Sequence, residues 1–160
     1  MSDRKANLRA TILADHAASM AVFNSLTDAD WQVSVPSEED APWTARDVLA
    51  HLAASEGGQL GQITRCLAGA VTVPDDFDLA RYNRRSVQKQ AAKTVPELLA
   101  QIEQGHAEVL SALDSLPEAD LDKTGRHARG DVLTVEQFFH RITEHRRQHA
   151  EQIEAVLRGG

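Results

Sequence analysis

The segment that most constrains the fold is Thr134 to Leu157, TVEQFFHRITEHRRQHAEQIEAVL. Its apolar residues Val135, Phe138, Ile142, Ile153 and Val156 fall on one face at the three-and-four spacing of a helix. Continued through the middle of the segment, that face passes through positions 145 and 149, where His145 and His149 stand. Residues four apart lie one above the other on a helix, so both imidazoles can address a single atom. That geometry suits a divalent metal; the alternative is a pair of core histidines satisfied by hydrogen bonds. In either case the stripe needs other elements to cover it.

The rest of the chain supplies helical partners. A first helix is predicted from Lys5 to Leu26, with Leu8, Ile12, Ala18, Val22 and Leu26 near one side. Thr27 to Pro42 reads as a connection, and Trp31 and Trp43 are expected to pack on the bundle end, with Trp43 also placed where a pocket rim would be. A second helix starts at Thr44, whose side chain is placed to cap, with Asp47 in the first turn, and runs to about Ala68. It crosses Gly57, Gly58 and Gly61, each weakening a helix by about 1 kcal/mol relative to Ala, which implies a close approach or a bend. His51 lies off the line of Leu49, Leu52, Leu60 and Ile63, so periodicity does not nominate it. Ala50, Ala53 and Ala54 nevertheless make this part of the helix apolar almost all round.

After Gly69 comes a loop, VTVPDDFD, and then a short helical segment over about Leu79 to Ala92. A third long helix opens with the capping box of Thr94 and Glu97 around Pro96, points Leu98, Ile102, Val109, Leu113 and Leu116 inward, and closes at Pro117. Glu118 to Asp131 is polar and loop-like. The last helix starts at Thr134, three residues before Gln137, and ends at Gly159. Four long helices, with one long connection and one long crossover between the second and third, predict an all-α four-helix bundle in a single domain over residues 1–160.

Composition narrows the function classes. Asp and Glu number 24 against 17 Lys and Arg, a formal net charge of −7, and no basic surface interleaved with aromatics predicts a nucleic-acid partner. Arg81 to Arg85 and Arg146-Arg147 read as solvated faces. The single cysteine, Cys66, reads as a small core filler. With neither a signal-type apolar run nor a window approaching the roughly 20 apolar residues of a membrane span, the expectation is a cytoplasmic protein with no membrane partner. His16, His106, His127 and His140 have no spacing partner and read as surface or incidental. Glu56, one turn beyond His51, is the candidate general base if it points inward, and otherwise an exposed or ion-paired carboxylate. Arg81 and Asn83, in the crossover that would cover the site, are candidates to grip a carboxylate of a bound molecule if they point inward, and otherwise lie exposed at the surface.

With His51 in WTARDVLAHLA and His145 and His149 in TEHRRQHAEQI, the chain resembles the DinB/YfiT-like superfamily of four-helix-bundle metalloproteins. That superfamily includes bacillithiol and mycothiol S-transferases and the N-terminal domain of mycothiol-dependent maleylpyruvate isomerase. The resemblance spans nearly the whole chain, from LTDADW through APWT to the HxxxH helix. It implies that His51, His145 and His149 bind a divalent metal, with zinc or nickel expected. It also implies a low-molecular-weight thiol such as bacillithiol or mycothiol as cofactor and an electrophile as co-substrate. DLARYN, residues 78–83, looks like the isomerase branch, whereas His145 stands where that branch has a carboxylate, and 160 residues leave no room for the isomerase's further C-terminal domain. Three imidazoles leave a coordination position open, and the resemblance implies that it serves a metal-dependent thiol S-transferase. A metal-dependent hydrolase, a non-catalytic metal-binding stress-response bundle and a metal-free structural bundle are the alternatives. Homodimerisation through helix faces accompanies the resemblance.

Overall fold

In the computed structural model, which describes residues 2–37 and 41–159, the chain forms α1 (Asp3–Ser25), α2 (Ala45–Leu67), α3 (Leu79–Lys89), α4 (Val95–Ser115) and α5 (Val135–Gly159). Single 3-10 turns lie at Asp30–Gln32 and Glu118–Asp122. Glu38 to Asp40, within the connection that follows α1, lie outside the described residues. The helix starts are those the sequence signals. Thr44 with Asp47 and Thr94 with Glu97 form full capping boxes. Thr134 and Gln137 exchange the same pair of bonds, at 2.8 and 3.1 Å. At the end of α4, the last turn's carbonyls are met by the buried Lys5 ammonium, which donates to Asp114 and Leu116.

α1 packs on α5 and α4, and α2 packs on α4 and α5, so the four long helices surround one core with α1 and α2 on a diagonal. α3 lies across α2 and is the crossover between α2 and α4. Its C-terminal turn is tied down by the Arg46 guanidinium, which donates to the carbonyls of Gln90, Ala91 and Lys93. The stretch read as a polar loop, Glu118 to Asp131, contains half of a small hairpin instead. β1 (Thr124–Arg126) pairs antiparallel with β2 (Val132–Thr134) across a turn in which Gly130 has φ 102°. Three-residue strands are too short to show an alternating pattern, and the left-handed glycine closes the turn.

The core is divided. One apolar cluster joins Phe23, Trp31, Trp43, Leu49, Leu52, Leu98, Ile102 and Ile153 at one end. A second joins Leu8, Ile12, Ile63, Val109, Leu113, Phe138, Phe139 and Ile142 at the other, with Cys66 among them. Between the two, every long helix turns polar on its inward face, at Asp15 and Ser19 of α1, His51 and Glu56 of α2, His106 of α4, and Thr143, Arg146 and His149 of α5. Arg146 is the largest fully buried side chain, which corrects its reading as part of a solvated face.

The glycines of α2 cause no break, since the helix is continuous over Ala45–Leu67. A Cβ at Gly58 would lie 3.1 Å from the Tyr82 hydroxyl, so that glycine seats a ring of α3, while a Cβ at Gly57 would meet nothing within 4 Å. In α4, a Cβ at Gly105 would stand 2.6 Å from Oε2 of Glu56, whose partner Arg146 holds it in place. Replacing glycine by alanine in a helix ordinarily gains about 1 kcal/mol. Gly57→Ala is therefore expected to raise stability by about that amount, and Gly105→Ala to lower it by about 1 kcal/mol or more despite the helix gain. Urea denaturation of both variants checks this; a stabilised Gly105→Ala would show that Glu56 is free to move aside.

Candidate metal centre

His51 enters the interior from α2, and His145 and His149 from successive turns of α5. Nε2 of His145 lies 3.4 Å from Nε2 of His51 and 3.1 Å from Nε2 of His149, and the three donor atoms fall within 4.8 Å of one another. His51 is 3 % and His149 4 % exposed, while His145 is half-buried and opens toward a cavity. The rings stand edge to face, with interplanar angles of 78 to 83°.

Neutral imidazole carries one lone pair and one N–H. His145 Nε2, with two other Nε2 atoms at hydrogen-bonding distance, cannot serve both through a single in-plane lone pair. A shared cation satisfies all three at once. Bonds of about 2.0 Å to a tetrahedral zinc put neighbouring nitrogens about 3.3 Å apart, close to the separations seen. The donor set fits a divalent ion bound by three histidines.

His51 had no periodicity signal, and it turns inward because α2 is covered on more than one side. The Trp43 ring packs on it at 5.3 Å between centroids. Trp43 is itself buried in the core and does not line the cavity, so it backs a ligand ring rather than forming a pocket rim.

The cavity beside His51 and His145 holds about 160 Å³, room for several waters or part of a small organic molecule. α2 lines it with Ser55, Gln59 and Gln62, the loop between α2 and α3 with Val73 and Phe77, α3 with Leu79, Tyr82 and Asn83, the hairpin with His127 and Arg129, and α5 with Arg141. Of the two crossover residues singled out from sequence, Asn83 is buried in this lining, whereas Arg81 is exposed and outside it. Arg65 Nε donates to the Thr72 carbonyl and the Thr72 hydroxyl donates to the Arg126 carbonyl, which ties α2, the loop and the hairpin into one wall. An outer recess bordered by Glu144 and Gln148 adjoins it at Arg129, Arg141 and His145.

His127 and His106, expected at the surface, are 6 % and 7 % exposed, and His16 is half-buried. Burial, with Arg141 and Arg129 nearby, pushes the His127 ring down to about 4. Its Nδ1 accepts from the Arg129 backbone N–H at 3.2 Å, leaving Nε2 as the N–H. The sequence signal for the cavity was a polar line at four-residue intervals: His51, Ser55 and Gln59 on α2, and Arg141, His145 and His149 on α5.

Glu56 points inward but away from the cavity lining, and pairs with Arg146. The other end of the guanidinium donates to Nδ1 of His16, whose Nε2–H then faces Glu103 at 3.1 Å. His16 stacks on His106 at 3.6 Å with an interplanar angle of 3°. Burial raises the Glu56 carboxyl, against the pull of Arg146. Burial lowers His16, and burial followed by His16 and Arg146 lowers His106 to about 4.

A family model described as the DinB superfamily matches residues 6–153. Among solved structures, an uncharacterized protein from Clostridium difficile 630 is 18 % identical over 99 % of this chain and 98 % of its own, with TM-score 0.75. YfiT from Bacillus subtilis, described as a probable metal-dependent hydrolase with an unusual four-helix bundle topology, is 18 % identical over 99 % of this chain and 89 % of its own, with TM-score 0.77. A mycothiol-dependent maleylpyruvate isomerase is 12 % identical over 96 % of this chain but only 63 % of its own, also with TM-score 0.77. At these identities the likeness is one of fold. No curated protein matches by sequence. No helix among the described residues is long and apolar enough to cross a membrane.

Two outcomes follow from the buried network. Glu56→Ala leaves the Arg146 charge without its carboxylate in the interior and is expected to cost about 3 kcal/mol or more in urea denaturation; a loss below about 1 kcal/mol would mean that water reaches the guanidinium. His106 titrates near 6.5 unfolded and about 4 folded, so between those values the unfolded chain binds the extra proton. Its contribution is present above about pH 6.5 and is lost as the pH falls toward 4, while the raised Glu56 works in the opposite sense. The drop in urea midpoint from about pH 7 to about pH 5 should therefore be smaller in His106→Gln than in the wild type. Equal drops would exclude the buried neutral ring as its source.

Proposed function

Since this chain belongs to the DinB superfamily, we propose that it is a divalent-metal-dependent enzyme that transfers a low-molecular-weight thiol to an electrophile, with His51, His145 and His149 as the metal ligands. An ion with three imidazole ligands keeps a position open and lowers the pKa of a thiol bound there, so that a thiolate forms at neutral pH. His51 and His145 both border the space lined by Ser55, Gln59, Gln62 and Asn83, where a thiol would meet an ion held by the three histidines. Phe77, Leu79 and Tyr82 supply an apolar side against which an organic substrate loses water.

The observation that carries the thiol reading over hydrolysis is that no Asp or Glu among the described residues lines the inner cavity. Hydrolysis at a metal-bound water typically uses a neighbouring carboxylate as general base, as in zinc proteases. Here Glu56 is engaged by Arg146, and the His127 lone pair is engaged by a backbone N–H on a ring that titrates near 4. A thiol, at about 8.5 against about 15.7 for water, needs far less help from an ion to reach its anion at neutral pH, and its proton can pass to solvent without a neighbouring carboxylate. The fold shared with YfiT keeps the metal-dependent hydrolase as the second reading.

Elemental analysis of untagged wild type and His149→Ala, each incubated with zinc or nickel, tests the ligand set. About one equivalent of metal per chain is expected in the wild type and far less in the variant, with the helical circular dichroism retained. The wild type should then conjugate thiols to an aryl halide, and chelator should abolish the reaction. No metal in either protein would remove the centre, whereas bound metal with ester hydrolysis and no thiol conjugation would establish the second reading.

A further inference from the structure

The chain carries a net charge of −7, yet its inner cavity is lined by Arg65, Arg129 and Arg141 and by no acid among the described residues. Of these, Arg141 is the one that shares a helix with two of the candidate ligands. It is half-buried on α5, four residues before His145 and eight before His149, so its side chain leaves the helix about one 5.4 Å turn from the first of these ligands and on the same line. It borders both the inner cavity and the outer recess, and therefore stands where a molecule passes from solvent to the metal centre. Among the described residues Arg141 has no ion-pair partner, whereas Arg126 is matched by Asp75 and Arg147 by Asp15 and Glu151.

Electrostatic economy makes an unmatched cation beside three further ligand-type imidazoles an unusual choice for an acidic protein, unless the missing anion arrives with a ligand. Arg65 is held by the Thr72 carbonyl, and the His127 ring offers an N–H, so the neighbouring groups are donors as well. Phe77 and Tyr82, in ring contact with each other at 5.5 Å between centroids, add apolar surface to the cavity lining, against which a short apolar or aromatic spacer can pack. A guanidinium matches a carboxylate in plane and with two hydrogen bonds.

We propose that Arg141 determines the specificity of this cavity by binding the carboxylate of its substrate, so that the enzyme selects thiols or electrophiles carrying a carboxylate about one helical turn from the reacting atom. The identity of that atom rests on the thiol reading above; the anion selection does not. It also places the carboxylate grip on α5 rather than on Arg81 of the crossover, which is exposed and outside the lining.

The test uses the full chain loaded with cobalt and two probes of equal size, 4-(mercaptomethyl)benzoate and 4-(mercaptomethyl)benzamide. Their para geometry prevents thiol and carboxylate from chelating one ion. Affinities come from calorimetry, and thiol ligation from the visible spectrum of the cobalt. The carboxylate is expected to bind about tenfold more tightly than the amide, the scale of a charge-assisted bidentate pair. That ratio should fall to about one in Arg141→Gln with cobalt content unchanged, and in the wild type it should shrink between about 0.01 M and about 1 M salt. A ratio near one in the wild type overturns the proposal even if both thiols shift the cobalt spectrum, which leaves the thiol reading standing. A ratio that persists in Arg141→Gln also overturns it. A preserved preference with no spectral change from either thiol supports Arg141 and removes the thiol reading instead. Should Arg141→Gln fail to fold or to bind cobalt, the wild-type ratio and its salt dependence decide.

Discussion

A guanidinium removed from water must find its counter-charge, and Arg146, with no exposure at all, finds it in Glu56 across the α2–α5 contact. An isolated charge in such a place costs several kcal/mol, more than any single apolar contact returns. The pairing therefore fixes how far α2 can slide along α5. Because His51 lies five residues from Glu56 and His145 lies next to Arg146, the same constraint sets the distance between histidines of different helices. α4 joins the arrangement by leaving out a side chain at Gly105, and α1 joins it through His16. One polar layer thus registers all four long helices, and the two apolar clusters on either side fill in around it.

α5 serves both halves of this layer. Arg146 faces the ion pair and the stacked imidazoles, while Arg141, His145 and His149 form a separate line toward the centre and its cavity. The division separates the buried pair of Arg146 and Glu56 from the face of α5 that borders the cavity. Apolar residues of similar volume often pack at equal or greater stability than a buried ion pair, so the worth of this one lies in its geometry. Here the polar groups specify which turn of one helix meets which turn of another.

The sequence showed what local spacing encodes. The capping boxes at Thr44, Thr94 and Thr134 place three helix starts, and the stripe through Val135, Phe138 and Ile142 points His149 inward. Resemblance rather than periodicity nominated His51. Periodicity could not find Arg146, because a charged residue reads as surface until the carboxylate that neutralises it is known, and Glu56 is 90 residues away. His106 and His16 escaped for the same reason, their rings being stacked on each other across α1 and α4. His127 was hidden in a hairpin whose strands are too short to carry a pattern. Of the candidate pocket residues, Asn83 reaches the lining and Arg81 does not, a difference set by which face of α3 rests on α2.

The diagonal placement of α1 and α2 also bears on the order of assembly. α1 makes its most extensive packing with α5, the helix farthest from it in the chain, and His51 and His145 of the centre are 94 residues apart. Contacts of such long sequence separation form late and slow the folding of a helical protein relative to bundles built from neighbours. On the ribosome, α1 waits for its main partner until α5 has been synthesised, with its apolar face open to chaperones in the interval.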